Sequence, residues 1–80
     1  MTYNEVFALR LRETIEERGI SLTRLAFLSG LRQSTLQNIY QGNTKNPTLR
    51  TMHRVAKGLN MTVSELLNFE QLNEGMIEGE

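Results

Sequence analysis

The sequence predicts an all-α domain, a compact bundle of five short helices in which helices 2 and 3 form a helix-turn-helix. Apolar residues recur at spacings of three and four, as they do on one face of a helix. Glycines and N-capping residue types divide the chain into short segments, and no segment alternates apolar with polar residues as a strand does. Eighty residues suffice for one such domain.

Capping residues define the expected helix ends. A serine or threonine suited to the N-cap precedes three of the segments, namely Ser21, Thr48 and Thr62. A glycine that can adopt the left-handed conformation follows three of them, namely Gly19, Gly30 and Gly42. The first helix is therefore expected from about Thr2 or Asn4 to Arg18, the second from Leu22 to about Ser29, and the third from near Arg32 or Gln33 to Gly42. The fourth is expected from Thr48 to an end marked by Gly58 and Asn60, and the short fifth from Val63 through Phe69. The apolar faces expected for helices 2 and 4 are Leu22, Leu25, Ala26 and Leu28, and Leu49, Met52, Val55, Ala56 and Leu59.

Gly30 interrupts two helical patterns that stand directly next to each other. A tight corner between helices requires one residue with a positive φ, which glycine adopts at little cost. Ala26 is small enough to let the two helices approach closely, and Leu31 is placed to fill the corner. A helix-turn-helix at this point explains the glycine.

The third helix has an unusual polar face. Its apolar residues Leu36, Ile39 and Tyr40 project on one arc, and the opposite arc and the first turn are free of carboxylates, with Gln33, Ser34, Gln37, Asn38 and Gln41. A merely solvated face usually carries Glu and Lys, which favour helix and solubility. Amides instead donate and accept together, and they pair bidentately with the edge of adenine in the major groove. The face therefore favours DNA recognition over an ordinary polar surface.

Charge is unevenly distributed although the net charge is zero. Residues 1–60 hold all nine Lys and Arg and four glutamates, whereas residues 61–80 hold five glutamates and no base. No acid occurs between Glu17 and Glu65, a span with seven bases. One side of the molecule is therefore expected to be electropositive, the alternative being an ordinary solvated surface.

Composition excludes several kinds of site. Without cysteine and with a single histidine, His53, the chain offers no disulfide and no thiolate or His-cluster metal site. No nucleophile–base pair and no phosphate-binding glycine loop is evident, so neither an enzyme nor a cofactor is expected. No apolar run reaches membrane-spanning length and the N-terminus lacks a signal pattern, which favours a soluble, cytoplasmic protein.

A specific set of residues resembles the lambda-repressor-like, Cro-type (XRE-type) helix-turn-helix domains over about residues 4–68. The matching positions are Leu25, Ala26, Gly30, Thr35, Leu36, Ile39, Gly42, Asn46, Pro47, Leu49, Ala56, Leu59, Glu65, Leu66 and Leu67. The resemblance implies a five-helix domain whose third helix enters the major groove. It also implies a bacterial or phage transcription regulator that binds palindromic operators as a homodimer.

The resemblance assigns roles by position. Base recognition falls to Gln33, Ser34, Gln37 and Asn38, and phosphate contacts to Thr35, Gln41, Asn43, Thr44, Lys45 and Asn46, with Arg24 and Arg32 as electrostatic contributors. Backbone N–H groups at the starts of helices 2 and 3 are expected to bind further phosphates.

Three positions depart from the family pattern. Leu22 replaces a phosphate-contacting Gln, and Arg32 replaces a capping Ser or Thr, so the cap of helix 3 is expected to shift to a neighbour. Ile15 and Tyr40 together replace a buried Arg–Glu pair, and an apolar pair is often as stable as a buried ion pair. We expect Ile15 and Tyr40 to be in contact.

Two functions fit the sequence. The first is a sequence-specific, double-stranded DNA-binding transcriptional regulator, a repressor of phage or small bacterial type; the alternative is an antitoxin-like or regulatory protein-interaction module. The domain is expected over residues 1–69, followed by an acidic tail at 70–80. The apolar residues Phe69, Leu72, Met76 and Ile77 suit a dimerisation stripe, a partner-binding peptide, packing on their own domain or a disordered segment.

Overall fold

The computed structural model describes residues 2–44 and 47–75, which form six α-helices and no strand. The helices are α1 (Tyr3–Arg18), α2 (Leu22–Ser29), α3 (Gln33–Tyr40), α4 (Leu49–Gly58), α5 (Val63–Leu67) and α6 (Glu70–Asn73). The predicted all-α class is confirmed. The sixth helix is a single turn, which the sequence pattern did not separate from the acidic tail.

Side-chain caps begin most helices where the sequence predicts them. Thr2 and Glu5 form a capping box, in which each side chain accepts from the other residue's backbone N–H. Thr62 and Glu65 repeat this motif at α5. The hydroxyl of Ser21 accepts from the backbone N–H of Arg24 at 3.1 Å. These bonds satisfy amides that a helix start otherwise leaves unpaired.

The corner between α2 and α3 has the predicted geometry. Gly30 is left-handed with φ 67°, and the N–H of Leu31 donates to the carbonyl of Ala26 at 3.0 Å, as in a Schellman end. Leu31 is half-buried and packs against the core. Apart from its chain neighbours Ser29 and Leu31, no described residue lies within 4 Å of the position a Cβ of Gly30 would take. The glycine is therefore required by its backbone angle alone.

The core draws on the first five helices. Its most deeply buried large residues are Leu11, Leu25, Leu36, Val55, Leu59 and Leu66. Two predicted apolar positions lie outside it, because Leu49 is 66% exposed and Leu28 44% exposed. Burial on α4 comes from its last two turns, so Leu49 in the first turn extends beyond the bundle.

One helix end differs from prediction. α3 ends at Tyr40 rather than Gly42, because Gln41 and Gly42 already form a turn and Gly42 has φ 77°. α4 ends at Gly58, and the left-handed residue just beyond it is Asn60, with φ 58°, as the sequence predicts for this end. A short polar side chain such as that of Asn tolerates this conformation.

Gly58 instead permits close contact between α2 and α4. A Cβ at this position would lie 2.3 Å from Ser29 Oγ and 2.8 Å from Leu25 Cδ1. Ser29 Oγ is buried and has no hydrogen-bond partner among the described residues. Both small residues therefore serve the approach of the two helices, which fixes α2 against the bundle.

Candidate nucleic-acid interface

The polar face of α3 lies on the outside of the protein. Leu36 and Ile39 are buried in the core, which fixes the rotation of the helix. Of the predicted base-recognition residues, Gln33, Ser34 and Asn38 are exposed and Gln37 is half-buried; Gln41, just past the helix, is also exposed. The face thus presents amides and a hydroxyl, with no carboxylate on the helix.

The start of α3 has no side-chain cap. Arg32 is the N-cap residue, with φ −69° and ψ 144°, and no side chain accepts from the first-turn amides. The expected shift of the cap to a neighbouring residue is therefore wrong, since Arg32 takes the position without offering an acceptor. The first-turn N–H groups of Gln33, Ser34 and Thr35 remain available to an anionic ligand.

Acidic residues divide the six helix starts into two sets. The first turns of α2, α3 and α4 contain no acid, whereas those of α1, α5 and α6 contain Glu5, Glu65 and Glu70. A helix N-terminus carries about half a positive charge, which an acid in the first turn offsets. The helix-turn-helix and the helix that follows it thus keep uncompensated positive ends, as phosphate binding requires.

The predicted phosphate contacts lie in different environments. Arg24 and Arg32 are exposed, and the guanidinium of Arg24 lies 5.5 Å from the ring centroid of Phe27. Phe27 is 75% exposed, so Arg24 and Phe27 both lie on the solvent-facing surface of α2. Thr35 is half-buried at the start of α3.

The loop after α3 holds the remaining candidates. Asn43 is exposed and its Nδ2 donates to Gln41 Oε1 at 3.2 Å, and Thr44 is half-buried. The backbone of this loop is tied to α1, because Asn4 Nδ2 donates to the carbonyl of Gly42. Lys45 and Asn46 lie outside the described residues.

Two arginines of α1 bind the ends of other helices, which the sequence analysis did not foresee. Arg10 donates from Nε to the carbonyl of Leu66 and from Nη2 to that of Glu65, both at 2.8 Å. Arg12 donates from Nη1 to the carbonyl of Tyr40, the last residue of α3. Cations favour helix C-termini, so these bonds stabilise both the helices and their docking on α1. Two bases counted as surface charge are thus structural.

The residues that depart from the family pattern in α1, α2 and α3, Ile15, Leu22 and Tyr40, all pack partly against the core. Leu22 is half-buried and packs against the core, so its side chain offers no polar contact in place of the family's Gln. Ile15 and Tyr40 are both partly buried against the same core. Their direct contact stays a prediction. His53, Arg50 and Arg54 are exposed on α4.

The described residues hold neither a metal-ligand cluster nor a membrane-spanning helix. Within residues 2–44 and 47–75, no group of three or more His, Asp or Glu side chains is placed to hold a metal ion. In the same residues, no helix is both long enough and apolar enough to cross a membrane.

Solved structures with the same fold are regulators and a prophage protein. Prophage Lp1 protein 11 has TM-score 0.79 and 32% identity, over 91% of this chain and 96% of that chain. The restriction–modification controller protein C.AhdI from Aeromonas hydrophila has a TM-score of 0.69 and 37% sequence identity. The match covers 75% of this chain and 89% of C.AhdI. A chain of the SinR/SinI complex has a TM-score of 0.69 and 25% sequence identity, and the match covers 88% of this chain and 73% of that chain.

Sequence comparison identifies the family. The regulator SinR of Bacillus licheniformis, an HTH-type transcriptional regulator, is 30% identical over 73 residues. The match covers 89% of this chain and 66% of SinR, slightly under two-thirds of that relative. The profile of the Cro/C1-type HTH DNA-binding domain matches residues 10–71, which confirms the resemblance predicted from the sequence. The chain therefore belongs to the Cro/C1-type helix-turn-helix DNA-binding domain family.

Proposed function

We propose that the protein is a sequence-specific transcriptional regulator that binds double-stranded DNA by inserting α3 into the major groove. The observation that carries this proposal is the carboxylate-free polar face of α3, in a fold whose helices α2, α3 and α4 begin without acids. Amides on that face match the donor–acceptor pattern of base edges, and the positive helix ends match the phosphates on either side.

Each candidate residue has a role in this proposal. Gln33, Ser34, Gln37 and Asn38 contact bases, and Arg24, Arg32, Thr35, Gln41, Asn43, Thr44, Lys45 and Asn46 contact phosphates. The exposed positions of Gln33, Ser34 and Asn38 support the first assignment. The hydrogen bond from Asn4 to the Gly42 carbonyl supports the second, because it fixes the start of the loop on α1.

The finer proposal is a repressor of phage or small bacterial type that binds a palindromic operator as a homodimer. The likeness to SinR, named as a transcriptional regulator, and to a prophage protein supports it. Such a protein works in the cytoplasm at the nucleoid and requires no enzyme activity. We assign DNA binding to residues 1–69 and treat residues 70–80 as a separate acidic tail.

A protein-interaction function is the second candidate. It is favoured by the neighbouring Phe27 and Leu28 on α2, which are 75% and 44% exposed. The similar SinR chain was solved in a complex with a second protein, SinI. If the protein is an antitoxin-like or regulatory partner binder, its affinity for the partner protein should change little when salt is raised moderately. If it binds DNA, its affinity for DNA should fall steeply.

Selection of bound duplexes from a random DNA pool tests the proposal. A sequence-specific dimer enriches one motif, arranged as two inverted half-sites about one helical turn apart. The same selection with Gln33→Ala and Gln37→Ala together serves as the matched control, and it should yield a less defined motif. Recovery of unrelated sequences by the unaltered chain contradicts sequence-specific recognition.

A further inference from the structure

A second surface feature lies outside the candidate DNA interface. The start of α1, the start of α4 and the segment from α5 to α6 enclose an apolar groove of about 310 Å³. Its wall includes Tyr3, Pro47, Met52, Leu67, Phe69 and Leu72, over a floor of α1 core residues. Tyr3 is 53% exposed at this groove, which makes it one of the few large apolar side chains left open to solvent.

Helix α6 lies beside this groove, and the chain turns directly after the helix. Leu72 lines the groove, and three residues later Gly75 is left-handed with φ 65°. The N–H of Gly75 donates to the carbonyl of Leu72 at 3.4 Å, which closes the end of α6. A left-handed residue redirects the chain instead of extending the helix. The last two apolar residues considered for the tail, Met76 and Ile77, lie outside the described residues.

The sequence after the turn is Met76-Ile77-Glu78-Gly79-Glu80, which lies outside the described residues. Met76 and Ile77 are two neighbouring apolar residues in an otherwise polar segment. An extended chain spans at most about 3.6 Å per residue, so the Cα atom of Met76 lies within roughly 14 Å of that of Leu72. The apolar pair is thus tethered within reach of an apolar groove that its own helix helps to form.

We propose that Met76 and Ile77 of the same chain occupy this groove. A tether of a few residues gives the segment a millimolar effective concentration, which favours its own groove over that of a second copy. Burial of the pair covers the groove wall at Tyr3 and Phe69 and joins the two ends of the domain, since α1 begins and α6 ends there. The tail's carboxylates remain outside the groove.

Nuclear Overhauser effects on the full chain test this contact. We expect cross-peaks from the methyl groups of Met76 and Ile77 to the rings of Tyr3 and Phe69. In a mixture of ¹³C-labelled and unlabelled protein, isotope-filtered spectra should lose these cross-peaks, because they arise within one molecule. Their absence in uniformly labelled protein, or their persistence in the filtered spectra, overturns the proposal; the second result identifies another copy as the occupant.

Thermal unfolding of tail variants gives an independent test. The double substitution Met76→Asn and Ile77→Asn should lower Tm by roughly 4–8 °C, as expected for a domain of this size that loses a modest apolar contact. The control Glu78→Gln with Glu80→Gln keeps the apolar pair and should leave Tm within about 1 °C of the parent, since exposed charges contribute little. Equal melting of the parent and the asparagine variant contradicts the proposal.

Discussion

Arg12 of α1 donates a hydrogen bond from Nη1 to the carbonyl oxygen of Tyr40, at 2.7 Å, and its guanidinium lies 5.8 Å from the centroid of the Tyr40 ring. One side chain thus binds both the backbone and the ring of the last residue of α3. The family position that commonly carries a buried arginine is Ile15 here. The protein therefore attaches α3 to α1 through an arginine nearly one helical turn earlier.

Arg12→Lys should weaken this attachment. Lysine keeps the charge but lacks the planar group that stacks on Tyr40 and donates in a fixed direction. We expect the free energy of unfolding to fall by about 0.5–1.5 kcal/mol, since lysine can still donate but loses the fixed geometry and the stacking. Urea unfolding measures this, with the exposed Arg54→Lys as control. Equal losses in the two variants contradict a specific role for Arg12.

Gly30→Ala should destabilise the protein through backbone strain alone. The position a Cβ would take is free of described neighbours, so the cost arises from φ 67°, about 1–2 kcal/mol for an L-residue. Gly30→Asn should cost less, because asparagine adopts this region more readily. Gly30→Val should cost most, since it is β-branched. Chemical denaturation that gives the three variants equal stability contradicts the argument.

Gly58→Ala should also destabilise, for a steric reason. Alanine gains about 1 kcal/mol over glycine in helix propensity, but its Cβ would meet Ser29 Oγ and Leu25 Cδ1. Overpacking typically costs about 1–3 kcal/mol, so the net change should be a loss. Ser29→Ala alone should leave stability equal or higher, because it removes a buried hydroxyl without a partner. A double-mutant cycle measures whether Ser29→Ala relieves part of the clash.

Glu65→Gln should reduce the dependence of stability on acid pH. The pKa of Glu65 is lowered because its carboxylate accepts from the backbone N–H of Thr62, at 2.8 Å, and from its side chain. A folded pKa below the unfolded one adds stability above the unfolded pKa, which is lost as pH falls through the folded pKa. Glutamine keeps the capping box without titrating.

Stability curves between pH 7 and pH 3 measure this effect. Near pH 7 the Gln variant should be less stable than the parent, because it lacks the charge that the helix start favours, and its decline below about pH 4.5 should be shallower. Glu13→Gln, an exposed substitution on α1 that removes no cap, reports the effect of charge alone. A parent and a Glu65→Gln chain with parallel acid curves contradict the capping interpretation.

Substitutions on α3 and in the following loop should affect DNA binding differently. Gln37→Ala removes a base contact, so it should cost about 1–3 kcal/mol at the selected site and relax the preference for bases. Lys45→Ala removes a phosphate contact, so it should weaken binding to all duplexes similarly and reduce the salt slope by about one. Fluorescence anisotropy on matched and scrambled duplexes separates the two patterns. Unchanged binding by Gln37→Ala means that the recognition face is wrongly assigned.

Local chemistry explains what the sequence could predict. Gly30 and the capping threonines act within a few residues, so the corner and the starts of α4 and α5 follow from sequence alone. The buried side of α3 follows from its periodicity, which also places the polar face outside. These features depend only on neighbours along the chain.

Contacts distant in sequence explain what it could not predict. Arg10 and Arg12 bind carbonyls 55 or 56 and 28 residues away, and nothing in their local pattern distinguishes them from surface bases. Leu49 continues the periodic face of α4, and only the extent of the bundle leaves it exposed. Gly58 ends α4 as predicted, but its close approach to Ser29 of another helix does not follow from the local sequence.

The affinity of the purified chain for duplex DNA as a function of salt tests the central claim most directly. If a carboxylate-free helix face and unopposed helix ends engage DNA, binding should be clear at about 50 mM salt and fall by orders of magnitude by about 200 mM, as counterions are released from several phosphates. No retention of any double-stranded DNA at low salt would contradict the account and favour a protein partner instead.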